Sequence, residues 1–252
     1  MRRSLGGLAL RRRFYPESNI GGFSRDDPGI VLFSQLDGIL NAEDRVLDFG
    51  AGRGEQILDN EVEYRRRLFD LRGRCAHVEG CDVDEAVLSN PFLDHAEVIE
   101  VGNALPYPDN SFDIIYSRFV FEHVEHPTDV ARELLRVVKP GGVVAALTPN
   151  KLGYIAIAGG LVPNRLHVGA LNYIQPRRKA VDVFPTMYRL NTKKALRRAF
   201  GHQADIFVVR LSGEPAYHFG SPVLYRLFKW LHKCLPEQFQ PLLVVFVRKH
   251  EV

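Results

Sequence analysis

The sequence is poor in cysteine and in long apolar runs. Its 252 residues include three cysteines, Cys75, Cys81 and Cys234, and these form no CxxC pair. An odd number without that spacing indicates neither a disulfide framework nor a zinc site. No apolar run approaches the ~20 residues that cross a bilayer, and we see no charged-then-apolar leader with a small-residue cleavage site. We therefore expect a protein of the reducing cytoplasm.

Net charge is also low. The chain has 33 lysines and arginines against 30 acids, a formal charge of +3, which is too small to indicate a nucleic-acid partner. The first thirteen residues nevertheless hold five arginines and no acid. This composition favours a solvated, disordered tail over a functional arm, and the run is short for an arginine-rich transit peptide.

The hydrophobic pattern predicts an alternation of strands and helices. Apolar runs predict strands at 45–49, 76–81, 97–101, 112–117, 143–147, 205–211 and 242–247. Helical spacing and capping residues predict helices at 30–40, 55–71, 84–88, 128–138 (capped by Thr128), 193–200 (capped by Thr192) and 221–235. Continuous apolar strands separated by helices indicate a parallel sheet that is covered on both faces.

Residues 45–54 are the stretch around which this pattern is organised. A short strand carries Asp48 near its end and enters a turn with Gly50, Gly52 and Gly54, after which a helix begins. Glycines permit a positive φ and let a ligand lie against the backbone. Turns of this kind also serve nicotinamide, flavin and phosphate ligands, so the stretch alone does not identify the ligand.

Polar residues follow the next strands as well. Asp82 ends the second strand, residues 102–104 follow the third, and residues 117–119 end the fourth. In a doubly wound sheet, ligands bind outside the carboxyl ends of the strands, where the strand order switches. These positions predict a nucleoside-like ligand that extends across strands one to four.

Four stretches, in order along residues 43–150, resemble the motifs of the class I S-adenosylmethionine-dependent methyltransferases. They are 46–54, 80–84, 102–113 and 136–142. The resemblance implies an α/β fold with a doubly wound, mostly parallel, seven-stranded Rossmann-like sheet whose last strand is antiparallel. The composition and pattern of the chain further predict a basic tail, lid segment and helix at 1–42, ahead of a methyltransferase domain at 43–252 with an inserted cap segment at about 150–186.

The same resemblance implies the roles of the cofactor-binding residues. Asp48 would position the amino acid end of S-adenosyl-L-methionine, and Asp82 would hold the ribose. Asn103 stands where the family more often has Asp, but its amide can still meet adenine. The full set of predicted cofactor residues is Asp48, Gly50, Gly52, Asp82, Val83, Asn103, Ala104 and Arg118.

The run 122–126 is dense in groups that can bind metals, but it lacks the HExxH spacing, and relatives carry a similar run without a metal. We therefore predict no metal. His123 is a candidate general base, with a capping or packing role as its alternative. Asp84 is predicted as a helix cap and Asp113 as a structural residue.

The acceptor of the methyl group is sought in the lid segment, residues 15–26, and in the insertion. Aromatic residues and arginines there suit an anionic, sugar-like or aromatic small molecule that is methylated on O or N; they are Tyr154, His167, Tyr173, Arg177, Arg178, Tyr188 and Arg189. The arrangement looks like a group of uncharacterised small-molecule methyltransferases.

Two alternatives to this function stay open. One is a non-catalytic scaffold or assembly factor, whose tail and 221–235 helix bind a partner or a membrane surface. The other is an RNA methyltransferase that uses the basic helix at 193–198.

Overall fold

The computed structural model describes residues 2–154, 156–157, 185–216 and 218–251, with side chains from residue 7 onward. Its strands are β1 (Arg45–Phe49), β2 (His77–Asp82), β3 (His95–Val98), β4 (Phe112–Arg118), β5 (Val138–Pro149), β6 (Ala204–Leu211) and β7 (Leu242–Lys249). Its α-helices are α1 (Arg2–Phe14), α2 (Ser18–Gly21), α3 (Pro28–Asp37), α4 (Glu55–Leu58), α5 (Glu63–Phe69), α6 (Pro127–Val137), α7 (Lys193–Phe200) and α8 (Pro222–Cys234). Single 3₁₀ turns lie at Glu85–Ser89 and Glu237–Phe239.

The strands form one sheet in the order β3-β2-β1-β4-β5-β7-β6. The pairs among β1 to β5 are parallel, whereas β7 is antiparallel to both of its neighbours, β5 and β6. The strand order reverses at β1, which pairs with β2 on one side and β4 on the other. The predicted seven-stranded, mostly parallel sheet is thus confirmed. Sheets of this kind bind ligands where the strand order reverses, which is here at the ends of β1, β2 and β4.

Both faces of the sheet are covered. Leu47 of β1 packs in a cluster with residues of α6 and α7, while its neighbour Val46 packs in a second cluster with residues of α3 and α5. Successive side chains of a strand point to opposite faces, so a strand that is buried on both sides needs an unbroken apolar run. This is why β1, β4 and β5 could be recognised from composition.

The predicted helix over 55–71 is wrong in one respect, because residues 59–62 interrupt it. The Asn60 side chain donates from Nδ2 to the carbonyl of Gln56 (3.0 Å), and its Oδ1 accepts from the backbone N–H of Val62 (3.1 Å). Val62 itself is extended. A short amide side chain that bonds backbone on both sides competes with the helix, so α4 ends and α5 begins.

Several predicted boundaries also move. β3 lies two residues earlier than predicted, and β5 begins at Val138 rather than at 143, with a register shift opposite Phe112 and Ile114. Thr128 does not cap α6, since that helix starts on Pro127, a proline at the first helical position. Asp84 does act as a cap, because its carboxylate accepts from the N–H of Ala86 at 2.9 Å.

The N-terminal tail, predicted to be disordered, is helix α1. Its last turn packs on α8, where Phe14 stacks on Tyr225 with ring centroids 4.9 Å apart. Arg11 Nε donates at 2.8 Å to Oε2 of Glu214, which lies in the loop before α8. Leu10 and Tyr15 are buried beside Tyr225. These partners lie some 200 residues along the chain, which is why the local composition did not indicate them.

The C-terminal predictions are confirmed in outline. Thr192 caps α7 by accepting from the N–H of Ala195 at 3.1 Å, and Ser221 caps α8. Residues 155 and 158–184 lie outside the described residues, and with them the body of the predicted cap segment and its residues His167, Tyr173, Arg177 and Arg178. Among the helices that are described, none is both long and apolar enough to cross a membrane.

Candidate functional site

The glycine turn after β1 is fastened to β2. The N–H groups of Gly50 and Ala51 both donate to the carbonyl of Cys81, at 2.8 and 3.1 Å. Gly50, Gly52 and Gly54 all have positive φ, at 82°, 49° and 76°. A Cβ on Gly50 would stand 2.2 Å from Val120 Cγ2, and one on Gly54 would stand 2.6 Å from Asn90 Oδ1. The turn therefore needs glycine for both its conformation and its close contacts.

Asp82 closes the turn from the end of β2. One carboxylate oxygen accepts from the N–H of Gly52 at 2.8 Å, and the other accepts from the N–H of Asp84 at 3.0 Å. Each oxygen keeps lone-pair capacity for a further donor, such as a sugar hydroxyl. A Cβ on Gly52 would lie 3.4 Å from Glu55 Oε2 and 4.0 Å from Asp82 Oδ2. Glycine thus keeps open the space between two carboxylates, as a ligand that lies against this turn requires.

Asp48 lies deeper, only 3% exposed, and its Oδ2 accepts from the Tyr116 hydroxyl at 2.8 Å. Burial raises the pKa of Asp48 to about 7, against the opposing effects of the Tyr116 hydrogen bond and the Arg118 charge. A carboxyl with this pKa gains its charge near neutral pH, and a cationic ligand group would favour the charged form.

Arg118 ends β4 and supplies a cation to the same site. One terminal nitrogen donates to Gln56 Oε1, and the guanidinium carbon lies 5.2 Å from the ring centroid of Phe69. Its Nε is buried without an acceptor among the described residues. Burial lowers the pKa of Arg118. Phe119, next in the chain, has φ 56°, a strained value for a non-glycine residue that often marks functional sites.

Asn103 and Ala104 follow β3 and are exposed. The Asn103 Nδ2 donates to Glu100 Oε2 at 2.7 Å. The Asn103 Oδ1 and the second N–H of the amide are not used by this bond and could contact adenine.

His123 lies in the loop between β4 and α6. Its Nδ1 is 2.9 Å from the carbonyl oxygen of Pro185, which places a proton on Nδ1 and leaves the lone pair of the neutral ring on Nε2. That Nε2 is 4.0 Å from Glu122 Oε1. The buried Glu122 is held by the hydroxyl of Thr148, which donates to Oε2 at 3.0 Å. Within the described ranges, no three His, Cys, Asp or Glu side chains are grouped to hold a metal ion.

One cleft of about 2610 Å³ contains these groups. It exceeds the roughly 300–1,000 Å³ of a typical small-molecule site, so it can hold a cofactor and an acceptor together. The lid segment contributes Ile20 and Gly22, and α1 contributes Leu8. All predicted site residues line this cleft: Asp48, Gly50, Gly52, Asp82, Val83, Asn103, Ala104, Arg118 and His123. Asp113 lies elsewhere, at the start of β4, where it accepts from Lys139 and from the N–H of Arg45.

Three residues that support the site were not predicted from the sequence. Tyr116 donates to Asp48, and Gln56 accepts from Arg118. The buried Asn90 donates from Nδ2 to the carbonyls of Ala51 and Gly52, at 3.3 and 3.1 Å. Tyr116 could have been predicted as a supporting residue, because it is a polar side chain inside an apolar strand. Nothing in the sequence around Asn90 indicates a contact some 38 residues away.

Comparisons with known proteins agree with this geometry. A family model described as "Methyltransferase domain" matches residues 47–146. The chain is 40% identical over 110 residues to a demethylmenaquinone methyltransferase of Halalkalibacterium halodurans, covering 39% of this chain and 44% of that protein. It is 30% identical over 132 residues to the 27-O-demethylrifamycin SV methyltransferase of Amycolatopsis mediterranei, covering 47% and 45%. The matches thus span less than half the length of these curated relatives.

A solved structure shares the fold. The S-adenosylmethionine-dependent methyltransferase from Mesorhizobium loti superposes with a TM-score of 0.51 at 20% identity, covering 86% of this chain and 96% of the other. Residues 47–146 thus match a methyltransferase domain, and the seven-stranded sheet with antiparallel β7 is the fold of the solved methyltransferase structure.

Proposed function

We propose that this protein transfers the methyl group of S-adenosyl-L-methionine to a small-molecule acceptor. When bound, the cofactor supplies an activated methyl group on a sulfonium, whose sulfur is its own leaving group. The chain then has two tasks, which are to hold the cofactor and to place the acceptor atom in line with the methyl group.

The residues of the cleft fit the charges of this cofactor. Asp48 in its ionised form would pair with the ammonium group, and the unpaired Nε of Arg118 would pair with the carboxylate. Asp82 would accept hydrogen bonds from the two ribose hydroxyls, and the positive-φ glycines would let the ligand approach the backbone. Val83, Asn103 and Ala104 would contact the adenine end.

A single observation carries the proposal: the Asp82 carboxylate accepts a hydrogen bond from the Gly52 N–H at the edge of the open space beside the turn. This hydrogen bond holds the two carboxylate oxygens of Asp82 at the edge of the cleft, where both could accept from the hydroxyls of a ribose. Hydrogen bonds to a charged group contribute about 1.5–3 kcal/mol each, so the loss of two would weaken cofactor binding ~100-fold or more.

Titration calorimetry with S-adenosylmethionine and S-adenosylhomocysteine tests this directly. The intact protein should bind both, and Asp82→Ala should lose at least ~100-fold in affinity. Asp205→Ala is the matched control, since Asp205 is an exposed acid of β6 that pairs only with His250 among the described contacts. Failure of the intact protein to bind, or equal binding by Asp82→Ala and the control, would refute the proposal.

We infer O or N as the accepting atom; the printed name of the rifamycin relative supports O, whereas relatives from Pseudomonas are named ubiquinone/menaquinone biosynthesis C-methyltransferases, which supports neither. An oxygen acceptor benefits from a base, whereas an amine needs only to be unprotonated. His123 is our candidate base, because it lines the cleft and its Nδ1 faces the Pro185 carbonyl, which leaves Nε2 as the ring nitrogen that would accept a proton. We also propose a cytoplasmic location.

The two alternative functions make different predictions. A non-catalytic scaffold would bind cofactor but release no S-adenosylhomocysteine with any acceptor. An RNA methyltransferase would use the basic residues of α7, but among the described cleft-lining residues none belongs to that helix. A small-molecule acceptor therefore agrees better with the site, and RNA binding that weakens steeply with salt would count against it.

A further inference from the structure

Helices α1 and α8 pack together at the end of the molecule where α1 borders the cleft. Phe14 stacks on Tyr225, and the Lys229 ammonium donates to the carbonyl of Phe14. The Arg226 guanidinium lies 5.9 Å from the Phe14 ring centroid. These contacts join the two helices into one surface.

The sequences of the two helices carry an excess of positive charge. The two helices contain eight of the 33 lysines and arginines and none of the 30 acids. The other 25 basic residues and the 30 acids leave the rest of the chain with a formal charge of −5. A protein whose total charge is only +3 is therefore strongly polarised.

Two of the acids near this surface are paired with arginines, since Glu214 accepts from Arg11 and Glu17 accepts from Arg25. Asp26 accepts from the neutral Tyr15 hydroxyl and keeps its charge, which acts on Lys229. By contrast, Arg13, Arg226 and Lys233 are exposed. Among the described contacts, no ion pair joins Arg13, Arg226 or Lys233 to a carboxylate, so these three charges face outward.

The outer side of α8 is apolar as well as basic. Val223, Leu227 and Trp230 are 75%, 51% and 60% exposed, and they recur at i, i+4 and i+7 along one face. Leu227 and Cys234 share a helical face with Leu224 and Leu231 in the sequence pattern, which would favour their burial, yet both are exposed. The buried side is formed by Tyr225 and by His232, whose ring nitrogen lies 2.8 Å from the Tyr154 hydroxyl.

We propose that this α1–α8 face, formed by Arg13, Val223, Arg226, Leu227, Trp230 and Lys233, docks on an anionic membrane surface. Aliphatic and tryptophan side chains on a helix can enter the headgroup region, while flanking lysines and arginines attract acidic lipids. A lipid surface satisfies both properties at once, because it offers negative headgroups directly above an apolar phase. Because α1 also lines the cleft through Leu8, docking would place the cleft beside the bilayer.

The single tryptophan of the chain, Trp230, reports on this docking without a label. The full-length protein is mixed at low salt with phosphatidylcholine vesicles, either pure or containing phosphatidylglycerol. Sedimentation with the anionic vesicles, together with a blue shift of the Trp230 emission, is the expected result. Raising the salt concentration should release the protein, since it screens the headgroup charges.

Substitutions separate the contribution of positive charge to vesicle binding from the contribution of the apolar side chains. The Arg226→Gln/Lys233→Gln variant should bind anionic vesicles about 25-fold more weakly, at roughly fivefold per charge. Lys194→Gln/Arg198→Gln removes two exposed charges from α7 and should bind nearly as the parent does. Leu227→Glu should abolish sedimentation, whereas Phe207→Glu, at an exposed apolar position of β6, should not.

Three results would overturn the proposal. The first is no sedimentation and no emission shift with anionic vesicles at low salt. The second is an equal loss of binding to anionic vesicles in the α8 variants and in their matched controls. The third is a blue shift that depends on protein concentration without vesicles and is lost in Leu227→Glu, because the face would then be covered by a second copy of this chain. None of these measurements uses methyl transfer, so they are independent of the test on Asp82.

Discussion

The buried carboxyl of Asp48 leads to a prediction about the pH dependence of stability. Burial raises its pKa from 3.8 to about 7 in the protein without ligand. At 1.36 kcal/mol per unit, this shift corresponds to a total of about 4 kcal/mol. Because the folded state binds the proton more tightly than the unfolded chain, the contribution is fully present below about pH 4. It is lost progressively as pH rises through 7.

The substitution Asp48→Asn removes this titration while keeping the shape of the side chain. Other carboxylates titrate alike in both proteins, so the difference in unfolding free energy between Asp48→Asn and the parent isolates Asp48. We expect this difference to rise by about 3 kcal/mol in favour of the variant between roughly pH 4.5 and 7.5. Urea unfolding, followed by circular dichroism at several pH values, measures it.

A constant difference across that range would refute the reasoning. It would mean that Asp48 is ionised throughout, and that the Tyr116 hydrogen bond and the Arg118 charge outweigh burial. Tyr116→Phe is the matched control, because it keeps the ring that packs against Phe33 at 5.3 Å and removes only the donor to Asp48. In that variant, the loss of stability that accompanies ionisation of Asp48 should occur at higher pH.

Since ionised Asp48 would pair with the cofactor ammonium, cofactor affinity should rise with pH through about 7.

Two further predictions concern the turn and the candidate base. Gly50→Ala should lower the unfolding free energy by roughly 2 kcal/mol or more, because its Cβ would meet Val120 at 2.2 Å and φ is 82°. Gly73→Ala, at φ 73° with nothing within 4 Å, should lose only the backbone cost of about 1 kcal/mol, and equal losses would contradict the steric argument. His123→Ala should lower kcat ~100-fold or more at unchanged S-adenosylhomocysteine affinity. A loss of that affinity, or of thermal stability, would instead indicate a packing role.

Local features of the sequence were enough to select residues that line one cleft, and the cofactor-binding roles of these residues stay predictions. Gly50 and Gly52 were recognised because a positive φ beside a helix start is a local requirement, and Asp82 because it directly follows an apolar strand. The caps at Thr192 and Asp84 depend on hydrogen bonds within two or three residues. The division of the chain at residue 42 and the cap at 150–186 stay predictions.

What the sequence by itself determined is the order of strands and helices, the glycine turn and the acids that follow it. These depend on hydrophobic period and on interactions within a few residues. Only the tertiary structure decided that Tyr116 meets Asp48, that Asn90 holds the turn, and that α1 packs on α8. The partners in these contacts lie from 38 to more than 200 positions apart, and packing of the whole chain sets their pairing. For the same reason, the periodicity of α8 did not identify which of its faces is buried. Periodicity shows that a helix has an apolar and a polar face. It does not show which face a distant segment of the chain will cover.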